Sequence, residues 1–375
     1  MVKPGYKQTE VGLIPEEWNI KPLKEVAPLQ RGFDLPYSSI KEGRYPVVFS
    51  NGIGAFHSSY MVKGPGVVTG RSGTIGKIHY VEDDYWPHNT ALWVTDFHDN
   101  DPLFIFFLFR TIPWNLYNSG SGVPTLNRND VHDYLVSVPT KKEQINIAIL
   151  LADSDNLIDS LEKQLAKKKA IKQGAMQELL TGKRRLPGFS GEWKEYHLSE
   201  ICQLINGRAY SQDELLSSGK YRVLRLGNLF TNGHWYYSDL ELSEKQYCAK
   251  GDLIYAWSAT FGPHIWQGEK VIYHYHIWKV RLNALACREY VYHYLSADVQ
   301  TLMAELQGGT MAHLTKETME KRMITIPEYD EQIAIAEILT TMDSEIEALE
   351  KKLTKYRQIK QGMMQQLLTG KIRLV

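Results

Sequence analysis

Over residues 326–375, side chains that are apolar apart from one lysine recur at alternating spacings of four and three. They are Ile335, Leu339, Met342, Ile346, Leu349, Leu353, Tyr356, Lys360, Met363 and Leu367. That is the heptad seam of a helix laid against another helix. A second seam runs through Ile147, Leu151, Ile158, Leu161, Leu165, Ala175 and Leu179. Pro139 and Pro327 precede these segments, and Gly182 and Gly370 suit their ends. Some 40 helical residues give a rod of roughly 60 Å. Elsewhere the pattern is that of short strands. YPVVFS, GVVTG, KIHYV and TALWV fall between Gly, Pro, Asn and Asp turn signals in the first part; YRVLRLGNL, GDLIYAW and HIWKVRL follow in the second. DPLFIFFLFRTIPWNLY (101–117) and REYVYHYLSADVQTLMAEL (288–306) read as helices near the end of each part. The expected class is α+β with a mostly antiparallel, irregular sheet.

The two helical segments are copies. Residues 138–187 and 326–375 align without a gap at an offset of 188, and 27 of 50 positions are identical. Two unrelated helices sharing only a heptad would not match so far. The globular parts repeat more faintly: Trp18 matches Trp193, Gly32 matches Gly207, and His88 matches His274. Their offset drifts from 175 to 188, as loops that gain and lose residues require. The expected organisation is a globular domain over 1–140, a spacer helix over 141–185, a second domain over 186–327 and a second spacer helix over 328–375. Two near-identical stripes in one chain make intramolecular, antiparallel pairing the economical arrangement, with pseudo-two-fold symmetry between the copies. That arrangement suits two readers on separated DNA half-sites.

Composition narrows the class. At 375 residues the chain exceeds one ordinary core. Its 43 basic residues balance 43 acidic ones, so any nucleic-acid contact must rest on local patches. Three scattered cysteines, Cys202, Cys248 and Cys287, point to a reducing compartment. No signal-peptide core and no apolar run of membrane length are present, so a soluble, cytoplasmic protein with no membrane partner is expected.

Motifs for catalysis are missing. Asp101-Pro102-Leu103-Phe104 lacks the second proline of an amino-methyltransferase turn and reads as a helix cap. The glycines of 117–122 follow a helix-like run, the wrong context for a dinucleotide loop, and no phosphate-binding GxxxxGK[ST] loop occurs. His274 and His276 share one face of an expected strand, but no further ligands accompany them, so no metal site is expected. The loops carry DNA-binding chemistry instead: guanidinium, amide and hydroxyl groups in exposed turns. The candidates are Arg31, Asn51, Arg71, Ser72, Thr74, Thr125 and Asn127 in the first part. In the second they are Arg208, Arg225, Asn228, Trp257, Ser258, Thr260, His264, Thr310 and His313. Basic residues at Lys167, Lys168 and Lys169, matched by Lys355 and Arg357, suggest DNA or an acidic partner along the helices.

The order of domain, EQ-led helix ending in LLTGK, domain, EQ-led helix ending in LLTGK resembles the specificity subunit of type I restriction–modification enzymes. The marks are Pro139 with Glu143 and Gln144, Pro327 with Glu331 and Gln332, LLTGK at 179–183 and 367–371, the loop at 73–76, and the run 256–280. The first domain departs most over 48–66. The resemblance implies two target-recognition domains, each reading one half of a split double-stranded DNA target, and a chain with no active site or cofactor of its own. It implies two methyltransferase subunits using S-adenosylmethionine, and restriction and translocase subunits using ATP and Mg. The spacer and partner-docking candidates are Glu143, Gln144, Lys172, Gln173, Glu331, Gln332, Lys360 and Gln361. Two other readings stand beside it: a self-contained DNA methyltransferase or nuclease, and a stand-alone coiled-coil DNA-binding protein.

Overall fold

The computed structural model describes residues 4–120, 122–230, 233–258, 260–306 and 314–375. Both expected long helices form, at Lys141–Leu179 and Tyr329–Leu367, each of 39 residues. Their seams point inward as the heptads require: Ile147, Leu151, Ile158, Leu161 and Leu179 are buried, as are Ile335, Leu339, Ile346, Leu353 and Leu367. The chain divides into two compact units that cut through both helices. One joins Met1–Glu162 to Lys351–Val375, and the other is Lys163–Glu350. Each unit therefore holds one globular part and half of each long helix, rather than following the four linear segments.

Within each unit the half-helices run antiparallel. In the first, Asp155 pairs with Lys360, and Glu162 with Arg357 at 2.5 Å. In the second, Asp343 pairs with Lys172, and Glu350 with Lys169 at 2.6 Å. Adding 188 to the acidic partner of each first-unit pair, and subtracting 188 from the basic one, gives a second-unit pair, so the duplication preserved the ion pairs as well as the apolar seam. Lys168 also meets Glu345 at 2.5 Å. Two lysines of the basic run thus tie helix to helix.

The start of each long helix is fixed by two polar residues that the core encloses. Glu143 is 1% exposed; it accepts from Trp18 Nε1 at 2.9 Å and from Arg373 Nε at 2.7 Å. Glu331 is 2% exposed and holds Arg185 through both carboxylate oxygens, at 2.8 and 2.7 Å. Gln144 accepts from the Asp101 amide and donates to Pro139 and Asn100. Gln332 accepts from the Cys287 amide and donates to Pro327 and Leu285. Each glutamine joins the helix start to the globular part beside it. These four side chains, expected to dock a partner, are consumed inside the chain, and Lys360 is buried with them. Of that set only Gln173 and Gln361 are exposed.

The globular parts have the expected α+β character. In the first unit one sheet orders Leu29–Arg31, Ala91–Val94, Gly66–Gly70 and Ile78–Val81, all antiparallel. A second orders Gly52–His57, Tyr45–Phe49 and Trp86–Pro87. In the second unit one sheet orders Cys202–Asn206, Ile277–Leu282, Leu253–Ser258 and Thr260–Ile265. Another orders Tyr236–Ser238, Tyr221–Leu224, Val271–Tyr273 and Tyr247–Cys248. Two expectations need correction. The helix read over 101–117 spans only Pro102–Phe109, and a 3-10 turn at Trp114–Tyr117 follows Pro113, which cannot continue a helix. The strand read into GNL ends at Leu224, and Leu226–Phe230 turns helical. Asp101 does cap its helix, accepting from the Phe104 amide at 2.9 Å.

Removing the Glu143 carboxylate leaves the buried Trp18 indole N–H without its acceptor and the part-buried Arg373 with Glu17 alone. Glu143→Ala is expected to destabilise the first unit by about 3 kcal/mol, read as a lowered urea midpoint of the full chain. An unchanged midpoint would mean that Glu143 does not anchor the helix.

Candidate nucleic-acid interface

In both units a single turn carries the chain from one sheet to the other. The first links Trp86–Pro87 to Ala91–Val94, and Ala91 N donates to His88 O at 2.9 Å across Asn89 and Thr90. The second links Val271–Tyr273 to Ile277–Leu282, and Ile277 N donates to His274 O at 3.0 Å across Tyr275 and His276. The backbone around the two turns is the same. His88 N donates to Val48 O and His274 N to Leu224 O, both at 2.9 Å. Phe33 N reaches Pro87 O at 2.8 Å, and Arg208 N reaches Tyr273 O at 3.0 Å. A glycine is needed where that neighbouring strand passes. A Cβ on Gly32 would lie 2.3 Å from His88 O, and one on Gly207 would lie 2.3 Å from His274 O. The faint sequence match of Gly32 with Gly207 therefore has a steric cause.

The first unit gathers several predicted residues beside its turn. Arg31, Arg71, Thr125 and Asn127 line a cleft of about 610 Å³ with Asp34 and Arg128. The cleft wall is built by backbone: Ser72 bridges Thr125, and Leu126 N donates to Arg71 O at 2.8 Å. Arg31 pairs with Asp34 at 2.9 Å, and Arg71 Nη1 donates to Asn89 O at 3.2 Å. Asn127 caps the short helix Arg128–His132. Thr74 O packs where a Cβ of Gly70 would stand. Asn51 is exposed outside the cleft, its carbonyl taking Lys77 Nζ at 2.8 Å.

The second unit differs in its side chains. Arg225, His234, His274 and His276 line a cleft of about 450 Å³ with Gly227 and Asn228. Arg225 lies over the Tyr236 ring at 5.1 Å. Trp257 stacks on Trp278 at 5.5 Å and donates through Nε1 to Tyr275 O at 2.8 Å. Asn228 is buried, accepting from Arg225 N and donating to His234 O, so it shapes the loop rather than reading a ligand. Arg208 is held by Glu214 at 2.6 Å. His264 packs against Phe230 at 5.3 Å, outside the cleft lining. Ser258 and Thr260 are backbone register partners at the end of a strand pair. Thr310 and His313 lie outside the described residues. His276 sits in the turn, so the HxH does not lie along one strand face. Among the described residues no group of three or more His, Cys, Asp and Glu is placed to hold a metal ion. The sequence reading passed over Asn89 and His234 and took Tyr275 as structural; the trace of Asn89 and Tyr275 was the His88–His274 match just before them.

Burial sets the titration here. His274 is pushed down to about 4, chiefly by burial and then by His276 and Arg225. His88 and His264 are lowered by burial too. His293, under the second long helix, is also held at about 4 by burial. At neutral pH the second cleft thus presents His274 as a neutral imidazole beside the permanent charge of Arg225.

The family model for the type I restriction modification DNA specificity domain matches the chain twice, over residues 15–173 and 190–360. The putative type I restriction enzyme MjaX specificity subunit of Methanocaldococcus jannaschii is 23% identical, covering 99% of this chain and 97% of its own. The MjaVIII specificity subunit of the same organism is 23% identical over 73% of this chain and 71% of its own. In fold, the type I restriction-modification S subunit from M. genitalium superposes with a TM-score of 0.68 at 14% identity, covering 93% of this chain and 96% of its own. No helix among the described residues is long and apolar enough to cross a membrane.

Gly32→Ala and Gly207→Ala should each cost about 2 kcal/mol, because backbone carbonyls must move to admit a methyl group. Thermal unfolding of the two variants checks this, and unshifted midpoints would remove the steric argument. The histidines predict a pH dependence. In the unfolded chain they titrate near their ordinary value of 6.5, while folded His274 and His293 do so at about 4. Between those values the unfolded chain binds more protons, so stability rises with pH across the window and is lost as pH falls through it. His274→Gln combined with His293→Gln should flatten that slope in a urea series; an unchanged slope would assign it to other groups.

Proposed function

Because the chain belongs to the type I restriction modification DNA specificity family, whose members are DNA-recognition subunits rather than catalysts, we propose that each of its globular parts reads one half of a bipartite duplex target. The observation that carries this reading is the repeated turn between two sheets. Its backbone bonds are the same in both units, while the groups beside it differ: Arg71, Asn89 and Thr90 in one, Trp257, Tyr275 and His276 in the other. A shared frame with different donors and rings is what two different half-sites require. The guanidinium groups at each cleft supply positive charge toward phosphates despite the zero net charge of the chain.

Catalysis is then the work of other subunits. Two methyltransferase subunits use S-adenosylmethionine, and restriction and translocase subunits use ATP and Mg. Their docking is supported by exposed apolar residues that recur at the helical offset of 188: Ile145 with Ile333, and Ile171 with Ile359. Gln173 and Gln361, exposed on the same helices, accompany them.

Replacing residues 1–137 by the matching part of a relative should change only one half of the sequence methylated by the assembled complex, mapped as modified adenines in host DNA. A change in both halves would refute the two-reader assignment. Methyl transfer by the purified chain alone would favour a self-contained methyltransferase. Tight sequence-specific binding by the chain alone, with no methyltransferase co-purifying, would favour a stand-alone binder.

A further inference from the structure

We infer that the reading residues are the tips of the two inter-sheet turns, Asn89 and Tyr275, and that Arg71 and Trp257 are positioning residues that hold those tips. The inference rests on the half-site reading above and adds to it which side chains discriminate.

The argument begins with a shared bond made by unlike side chains. Arg71 Nη1 donates to Asn89 O at 3.2 Å, and Trp257 Nε1 donates to Tyr275 O at 2.8 Å. Arg71 and Trp257 occupy matching places at strand ends: Arg71 follows Gly66–Gly70 directly, and Trp257 is the last residue but one of Leu253–Ser258. Their own amides make matching bonds, Arg71 N to Thr90 O at 2.9 Å and Trp257 N to His276 O at 3.2 Å. A guanidinium and an indole share only an N–H donor aimed at the first residue of the turn. That common function is support of the tip.

The tips themselves have groups left for a ligand. The Asn89 amide carries two N–H bonds and a carbonyl. Asp34 accepts one N–H, and Arg31 in turn holds Asp34. No other described residue takes the second N–H or the carbonyl, and that donor–acceptor pair matches the N7 and N6 edge of adenine. Arg31 and Arg71, both named from the sequence as DNA-binding candidates, therefore support Asn89, one at its side chain through Asp34 and one at its backbone. Tyr275 is 39% exposed, although its amide donates to Arg208 O at 3.1 Å and its ring is flanked by His274 and His276 at 4.4 and 4.0 Å. A fixed, exposed ring with a hydroxyl at its edge fits the apolar thymine methyl and one neighbouring hydrogen-bonding atom.

The test uses the complex of this chain with its modification subunits, and reads methylation across a library of single-base variants of the target. Asn89→Ala, with Asn89→Ser as the variant kinder to a turn, should lower discrimination at one position of one half-site by about tenfold to a hundredfold. Tyr275→Ala should do so at one position of the other half. Arg71→Met should relax the same position as Asn89→Ala, and Arg71→Lys, which keeps a donor, should restore it. Trp257→Phe should reproduce Tyr275→Ala. Unchanged discrimination in the tip variants, or relaxation by Arg71→Met at a position that Asn89→Ala leaves intact, overturns the inference while the two-half target stands. A wild-type methylation pattern that is not bipartite would instead overturn the half-site reading on which it rests.

Discussion

An ionised carboxylate stays inside a protein only if donors surround it, because the cost of stripping its water must be met by other bonds. Glu143 and Glu331 impose that condition at the start of each long helix. The donors come from remote places: Trp18 ahead of the first globular part, and an arginine that follows the end of the other long helix. Once those groups converge, the half-helices stand in the register that pairs Lys360 with Asp155 and Lys172 with Asp343. The neighbouring glutamines bond backbone of the globular part, so the helix start and the sheets beside it form one body. An apolar seam alone would permit sliding by a heptad; buried charges do not.

This frame explains how the two copies diverged. The turn between sheets is fixed by backbone bonds and by a glycine that admits a close strand, none of which depends on the side chains of Asn89, Thr90, Tyr275 or His276. Those positions hold different residues in the two copies although the backbone around them is the same. By contrast, Trp18 and Tyr273 in the frame are fully buried. Variation thus falls on the surface that a ligand meets.

Much of this was legible in the sequence. Heptad spacing foretold both long helices and their inward faces, and alternating apolar runs foretold the strands at 45–50, 66–70, 77–81 and 90–94, because both signals are local. Other features depended on contacts across the chain. A glutamate and a glutamine at a helix start look like solvated residues until the arginine that meets them is located, 230 residues away for Glu143. Asn89 and Tyr275 were hidden because their equivalence rests on backbone bonds, not on shared residue type. Arg31 and Arg71 were found as a pair, but their carboxylate and carbonyl partners were not, so they looked like readers. Asn228 looked exposed because its turn was taken for a strand.

The partner of Glu143 has a consequence in time. Arg185 and Glu331 lie 146 positions apart within the continuous stretch that forms the second unit, whereas Glu143 and Arg373 lie 230 apart and belong to a unit assembled from two separate stretches. At ribosomal rates of about 5–20 residues per second, Glu143 emerges on the order of 10 to 50 s before its arginine. During that interval the carboxylate has no guanidinium, and the first half-helix lacks the second one that covers its seam. The second unit is complete earlier, although most of the first unit is translated before it. The part of the molecule made first therefore closes after the second unit, and its apolar helix face waits, uncovered, for the stretch Lys351–Val375.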